Sequence, residues 1–130
     1  MDALQQRLQD CLPLAKAVCR TLRDEAARLG FEPAAVSGAD ARIAEFRLQT
    51  DPASGGQGLL GEWFDQHRYR VGMLLFHADG SFFAEYDIAR SHPGNPRLFV
   101  EAVEAWGRGQ DIRCDARTMP IPDEFAATDA

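Results

Sequence analysis

The sequence predicts an α+β domain: an antiparallel β-sheet of four to five strands, with a long N-terminal helix packed on one face and a second, short helix before the last strand. Two patterns support this fold class. The segment 68–89, RYRVGMLLFHADGSFFAEYDIA, is typical of a β-hairpin. Residues 2–29 have apolar side chains at the three- and four-residue spacing of an amphipathic helix. Together they indicate a helix that buries its apolar stripe against a sheet.

The predicted hairpin has two runs rich in β-branched and aromatic residues on either side of Ala78-Asp79-Gly80, where the glycine supplies the positive φ of a tight reversal. A two-residue Asp79-Gly80 loop and a three-residue Ala78-Asp79-Gly80 loop give registers that differ by one residue. That difference exchanges the two faces of the first strand. In either register, one row of the second strand is expected in the core: Phe82, Ala84, Tyr86 and Ile88.

The predicted N-terminal helix contains a proline. Pro13 lacks a backbone donor, so we expect the helix to be kinked or restarted there. Gly30 suits the position after the helix end, and Phe31 could fold back on the last turn, as in a Schellman motif. The apolar stripe consists of Leu4, Leu8, Cys11, Leu12, Ala15, Val18, Cys19, Leu22, Ala26 and Leu29.

Three further strands are expected outside the hairpin. Apolar and polar residues alternate over 42–49 and again over 110–118, and 59–64 is a short apolar run that contains a tryptophan. No repeat or linker divides the chain. We therefore expect a single domain over 1–119 and a loose C-terminal tail over 120–130.

The second, short helix is predicted over 96–107. Asn95 is a suitable N-cap residue, Pro96 a suitable first helical residue, and Gly107 a suitable end. The expected apolar stripe of this helix is Phe99, Ala102, Val103 and Trp106.

Composition favours a small globular protein. Of the 130 residues, 45% are hydrophobic and 26% charged, which is enough apolar material for one core. The formal net charge is −6 and no basic stripe is present, so we expect no nucleic-acid partner. No apolar run approaches the ~20 residues of a membrane span. The polar N-terminal segment lacks the pattern of a secretory signal, and we expect a cytoplasmic protein without membrane association.

No motif predicts a metal or a cofactor. The three cysteines include no CxxC pair, and we expect them to be reduced. The histidines lie near turns without metal-ligand spacing, and the glycine-rich segment 54–58 lacks the GK[ST] ending of a phosphate-binding loop. The expected cofactor and metal content is therefore none.

Five residues are predicted to contact a protein partner: Glu62, Trp63, Phe83, Glu85 and Asp87. Glu85 and Asp87 share one strand face, and Glu62 could join them from a neighbouring strand. Such carboxylates can perform acid–base chemistry, but they also occur as ion-pair partners of arginine on a solvated sheet face, the interpretation we favour. Phe76 and Phe83, together with Trp63, would form an apolar patch there, unless the helix predicted over 96–107 covers it.

The hairpin and the residues after it resemble the YezG-type immunity proteins of bacterial polymorphic toxin systems. The similar residues are Leu74-Leu75-Phe76, Asp79-Gly80, Phe82 and Tyr86-Asp87, followed by a predicted helix with Trp106. They cover about a quarter of the chain. The family's acidic helix between the early strands is replaced here by the glycine-rich segment. The resemblance implies an N-terminal helix before an antiparallel sheet and the neutralisation of a toxin by occlusion.

Three functions follow as hypotheses. The first is a non-enzymatic protein-binding domain, in concrete form an immunity protein whose partner is a basic toxin. The second is a small acidic secretion chaperone or adaptor that acts as a homodimer on a secreted client. The third is an enzyme or small-molecule carrier with a pocket between the sheet and the N-terminal helix. Because no residue cluster demands a reaction, the sequence favours binding over catalysis.

Overall fold

The computed structural model describes residues 2–91 and 98–120, in which one long helix lies on one face of a six-stranded antiparallel sheet. The helix, α1, spans Ala3–Arg28, and two short 3₁₀ segments, Pro33–Val36 and Ala41–Ile43, lead to the sheet. The strands are β1 (Glu45–Thr50), β2 (Gln57–Phe64), β3 (Arg70–Phe76), β4 (Ser81–Ser91), β5 (Leu98–Arg108) and β6 (Asp111–Pro120). The predicted α+β class, antiparallel sheet and N-terminal helix are confirmed.

Helix α1 is a single uninterrupted element with defined ends. The Asp2 side chain accepts a hydrogen bond from the Gln5 amide, and the Gln5 side chain accepts one from the Asp2 amide, which forms a capping box. Pro13 lies inside the helix and is exposed, so the carbonyl it leaves unpaired can face water. The predicted restart at Pro13 therefore does not occur.

The C-terminal end of α1 is the predicted Schellman motif. Gly30 has φ of 92°, and its amide donates to the Ala27 carbonyl at 3.0 Å. The Phe31 amide donates to the Ala26 carbonyl at 3.1 Å. These two bonds satisfy carbonyls that the last turn would otherwise leave free.

The sheet is a meander in which each strand pairs with the next in the order β1 to β6. Phe76 pairs with Phe82 across the main hairpin, the His77 amide donates to the Ser81 carbonyl at 2.8 Å, and Gly80 has φ of 92°. The loop is therefore Ala78-Asp79-Gly80, the three-residue alternative. It places Leu74 and Phe76, rather than Met73 and Leu75, on the core face of β3.

The core lies between α1 and the sheet. Phe82, Ala84 and Ile88 are buried, and half-buried Tyr86 packs edge-on against Trp63 with 5.6 Å between ring centroids. The row predicted for the core is thus confirmed. The largest fully buried side chains are Leu22, Leu59, Leu74, Val18, Val103 and Cys19.

The second helix predicted over 96–107 is wrong where the structure describes it, because 98–108 form strand β5. β5 lies between β4 and β6 and pairs with both along its length. The predicted stripe is split between the two faces: Val103 points to the core, whereas Ala102 and Trp106 share the opposite face. Backbone pairing with two neighbours outweighs the three- and four-residue spacing. The sheet consequently has six strands rather than four to five.

Some predictions fall on residues that the structure does not describe. Asn95 and Pro96, the expected start of the second helix, lie outside the described residues, and so does the expected tail beyond Pro120. Within residues 2–91 and 98–120, no helix is both long and apolar enough to cross a membrane.

Candidate functional site

The candidate site is the sheet face that points away from α1, which we call the outer face. Directly paired residues of antiparallel strands share a face, so the core residues identify the outer face by alternation. The 3₁₀ segments lie on the core side, where the Trp63 Nε1 donates to the Asp40 carbonyl at 3.0 Å. In the described part of the chain, no helical segment packs on the outer face.

An apolar row crosses the centre of the outer face. Leu60 pairs with Leu75, Leu75 with Phe83, and Phe83 with Trp106, so the four side chains lie side by side on strands β2 to β5. Leu60 is buried, Leu75 and Phe83 are half-buried, and Trp106 is 36% exposed. Partly exposed aromatic side chains at the centre of a patch are typical of protein interfaces.

A second row, one pair further along the strands, contains three glutamates on β2 to β5, next to Glu45 of β1, which pairs with Glu62. Glu62 pairs with Met73, Met73 with Glu85, and Glu85 with Glu104. Glu62 is held between two guanidinium groups, Arg70 at 3.3 Å and Arg47 at 3.5 Å. The charge of Glu62 is thus balanced within the protein, as expected for cross-strand pairs.

The centre of the outer face carries three carboxylates, two of which share one ion-pair partner. Arg117 lies 2.5 Å from Glu104 and 3.6 Å from Glu85. Asp87 makes no ion pair within the described residues, and its Oδ1 is buried without a hydrogen-bond partner. We call Glu85, Asp87 and Glu104 the carboxylate cluster. Its negative charge exceeds the positive charge that Arg117 supplies.

Burial shifts the pKa values of Glu85 and Asp87. Burial raises the pKa of Glu85, and the hydrogen bond with Asp87 and the repulsion between the two carboxylates raise it further. Burial also raises the pKa of Asp87, against the opposing effects of the hydrogen bond with Glu85 and the Arg70 charge. The two groups interact directly, so they titrate as a pair.

The structure brings four of the five predicted contact residues together on the outer face: Glu62, Phe83, Glu85 and Asp87. Trp63, the fifth predicted contact residue, does not lie on the outer face. Its side chain points to the core, is 3% exposed and is fixed by its bond to Asp40, so it cannot contact a partner at the outer face. The reason is alternation, since Trp63 neighbours Glu62 on one strand and the two side chains must point to opposite faces.

Sequence reasoning missed three residues of this surface: Glu104, Trp106 and Arg117. The first two were assigned to a helix, and Arg117 was not placed opposite any acid. The alternation of Ala102, Glu104 and Trp106 with Val103 and Ala105 was the available signal for a strand.

Other candidate sites are less well formed. The described residues contain no group of three or more His, Cys, Asp or Glu side chains suited to a metal ion. An open cleft of about 280 Å³ lies beside the edge of the sheet, lined mainly by apolar residues of α1, β1 and the connection between them. A more polar cleft of about 470 Å³ lies between the β1–β2 and β3–β4 loops. Both clefts are at the periphery of the fold.

Comparisons of the chain with protein-family models, with curated proteins and with solved structures find no match in any of the three. Trp106, which the YezG-type resemblance places on a helix, lies on strand β5.

Proposed function

We propose that this protein is a non-enzymatic protein-binding domain that binds a partner with its outer face. The observation that carries the proposal is a sheet face on which no described helix packs, with a central apolar row next to a cluster of three carboxylates and one ion-paired arginine. The proposed contact residues are Glu62, Phe83, Glu85 and Asp87 from the sequence prediction, together with Glu104 and Trp106.

The apolar row supplies the expected centre of the interface. Phe83 and Trp106 are adjacent, partly exposed and surrounded by charged side chains. Binding energy in protein interfaces is concentrated in a few such aromatic residues, from which the surrounding contacts exclude water. A partner with a complementary apolar surface would remove both rings from water.

The carboxylate cluster indicates the charge of the partner. Among the described residues, Arg117 is the one ion-pair partner of Glu85 and Glu104, and Asp87 has none; the chain as a whole carries a formal charge of −6. A lysine or arginine of the partner would balance the remaining negative charge and be attracted at long range. The partner is therefore expected to present a basic surface around its apolar contact.

An immunity protein that occludes a basic toxin is the concrete form of this proposal, and it derives from the YezG-type resemblance. It predicts that a gene beside this one encodes a toxic product. Expression of that product should arrest growth of a host cell, and co-expression of this protein should restore growth. A neighbouring product that is harmless, or whose toxicity this protein does not relieve, would remove the immunity role.

Binding is tested with a partner isolated from native cell extract, identified, produced in recombinant form and titrated calorimetrically. We expect Phe83→Ala and Trp106→Ala each to raise the Kd by roughly tenfold or more, as hot-spot truncations do. Leu12→Ala is the matched control, since Leu12 is a comparably exposed apolar residue on α1. If Leu12→Ala weakens binding and the two outer-face variants do not, the outer face is not the binding site.

A further inference from the structure

Strand β6 is an open edge of the sheet. Among residues 2–91 and 98–120, β6 pairs only with β5. The Ala116 amide points to the free side, where the Asp115 carboxylate of the same strand accepts its hydrogen bond at 2.8 Å. Asp115 thus caps a backbone donor that a neighbouring strand would otherwise bind. Pairing with another strand requires Asp115 to release this amide, which frees the carboxylate for a cross-strand contact.

The charges of β6 are self-complementary in one antiparallel register. When two copies of the strand are related by a two-fold axis at Cys114, Arg113 lies opposite Asp115 of the other copy. In the same register Asp111 lies opposite Arg117. Each pair occurs twice by symmetry. All four residues are exposed and point to the outer face, so four cross-strand ion pairs would form a continuous ladder.

Neighbouring two-fold registers lack this match. An axis at Arg113 places Asp111 opposite Asp115, and an axis at Asp115 places Arg113 opposite Arg117, so like charges face each other in both. Like charges directly opposite on a sheet are destabilising. Axes at Ile112 and at Ala116 each give two opposite-charge pairs, whereas the axis at Cys114 gives four. The charge pattern therefore favours the register centred on Cys114.

The core-side residues fit the same register. Ile112 would lie opposite Ala116, which pairs a large apolar side chain with a small one, and Cys114 would lie opposite its own copy. Cα atoms of directly opposite residues are about 4.5–5.5 Å apart, within the usual range for a disulfide. Cys114 is exposed, whereas Cys11 and Cys19 are buried.

We propose that two copies of this chain associate through antiparallel pairing of their β6 strands about Cys114, which joins the two sheets into one. Both helices then lie on one side of the joined sheet, and both outer faces lie on the other. The inference is independent of the proposed partner, since β6 could pair whether or not the outer face binds another protein.

Charge exchange tests the pairing. Light scattering of the full chain at rising micromolar concentrations should give the mass of a dimer. Arg113→Asp or Asp115→Arg alone places like charges opposite each other twice, and we expect each to raise the dimer Kd by roughly tenfold or more. The double exchange, Arg113→Asp with Asp115→Arg, restores opposite charges in this register and should restore the dimer.

Arg47→Asp is the matched control, because it makes the same change on β1, the other edge strand, and should leave the dimer intact. A chain that stays monomeric over this concentration range overturns the inference. So does a dimer that neither single exchange weakens, or one that the double exchange fails to restore.

Cross-linking provides an independent readout of the register. Oxidation with diamide removes one hydrogen from each of two thiols and should produce a dimer linked Cys114 to Cys114 on a non-reducing gel. The Cys114→Ser variant should give no linked dimer, while the buried Cys11 and Cys19 stay in place in both proteins. A light-scattering dimer that oxidation does not link at Cys114 would exclude this register.

Discussion

Among single residues, Phe82 and Phe83 differ in role because successive residues of a strand point to opposite faces of the sheet. Phe82 is 3% exposed and packs against Phe76 with 6.3 Å between ring centroids, whereas Phe83 is half-buried on the outer face. The two residues have the same side chain and adjacent positions. Phe82 therefore belongs to the core and Phe83 to the proposed interface because their side chains point to opposite faces.

We expect Phe82→Ala to lower the free energy of unfolding by about 3–5 kcal/mol, because it leaves a cavity in a closely packed core. Chemical denaturation measured by circular dichroism provides the value. Phe83→Ala is the control, with a clearly smaller loss since its ring is already in part solvated. Equal losses for the two variants would contradict the assignment of faces.

A glycine on β3 makes room for two neighbours. A Cβ atom at Gly72 would lie 2.5 Å from the Glu85 carbonyl oxygen and 2.8 Å from the Trp63 ring. The carbonyl belongs to the paired strand and cannot move without disturbing the ladder. The glycine therefore permits the close contact among β3, β4 and the Trp63 indole.

Gly72→Ala should accordingly destabilise the protein by about 1–3 kcal/mol through overpacking. Gly61→Ala is the comparison, because the three atoms nearest to a Cβ there belong to the ring of half-buried Phe46 on the edge strand, which lines the open cleft of about 280 Å³. Thermal unfolding of both variants compares a Cβ that meets a fixed backbone carbonyl with one that meets a side-chain ring. A Gly72 variant at least as stable as the Gly61 variant would mean that the backbone contact is readily relieved.

At the scale of secondary-structure elements, β5 is the clearest case in which local pattern and structure disagree. Phe99, Ala102, Val103 and Trp106 have helical spacing, yet the segment is a strand. As a strand, it buries Val103 and Ala105 against the core and aligns Ala102, Glu104 and Trp106 on the outer face. β4 offers an edge of equal length, and the hydrogen bonds gained there and with β6 decide the conformation.

Strand β4 carries the pair of carboxylates whose titration links stability to pH. The pKa of Glu85 is raised above its ordinary value of 4.5 by burial and by Asp87. The contribution of Glu85 to stability is then fully present below about pH 4 and is lost as the pH rises through the raised value. Glutamine in its place stays neutral at every pH and can still donate to Asp87.

We therefore expect Glu85→Gln to unfold at higher denaturant concentration than the parent protein at pH 7, with the difference disappearing near pH 4. Glu45→Gln should instead unfold at lower denaturant concentration than the parent protein at pH 7. The hydrogen bond from Arg68 lowers the pKa of Glu45 and stabilises its charged form at neutral pH. A Glu85 variant that is less stable than the parent at pH 7 would show that the Arg117 ion pair dominates instead.

At the scale of the whole molecule, the helix and the sheet divide the surface into regions with different properties. α1 covers one face of the sheet, the outer face remains open among the described residues, and the edges are β1 and β6. The proposed partner and the proposed second copy use separate regions, the centre of the outer face and the β6 edge. Arg117 lies where they meet, because it ion-pairs with the carboxylate cluster and would face Asp111 of the second copy.

The features with a local signal could be predicted from the amino-acid sequence. The amphipathic stripe with Gly30 predicted α1 and its end, and the Ala78-Asp79-Gly80 hairpin predicted the buried row of Phe82, Ala84, Tyr86 and Ile88. Periodicity and turn chemistry suffice for such features, because the residues that determine them lie within a few positions of each other.

Four other features depend on contacts between distant segments: the hairpin register, the strand conformation of 98–108, the core position of Trp63 and the association of Glu104 and Arg117 with Glu85. Each depends on which strand lies beside which. That choice is made by hydrogen bonds and buried area between segments far apart in the chain, and a single-residue change of register exchanges every face. The structure places Glu62, Phe83, Glu85 and Asp87 on one face, as predicted, and Trp63 on the other, while their role as contact residues stays a prediction.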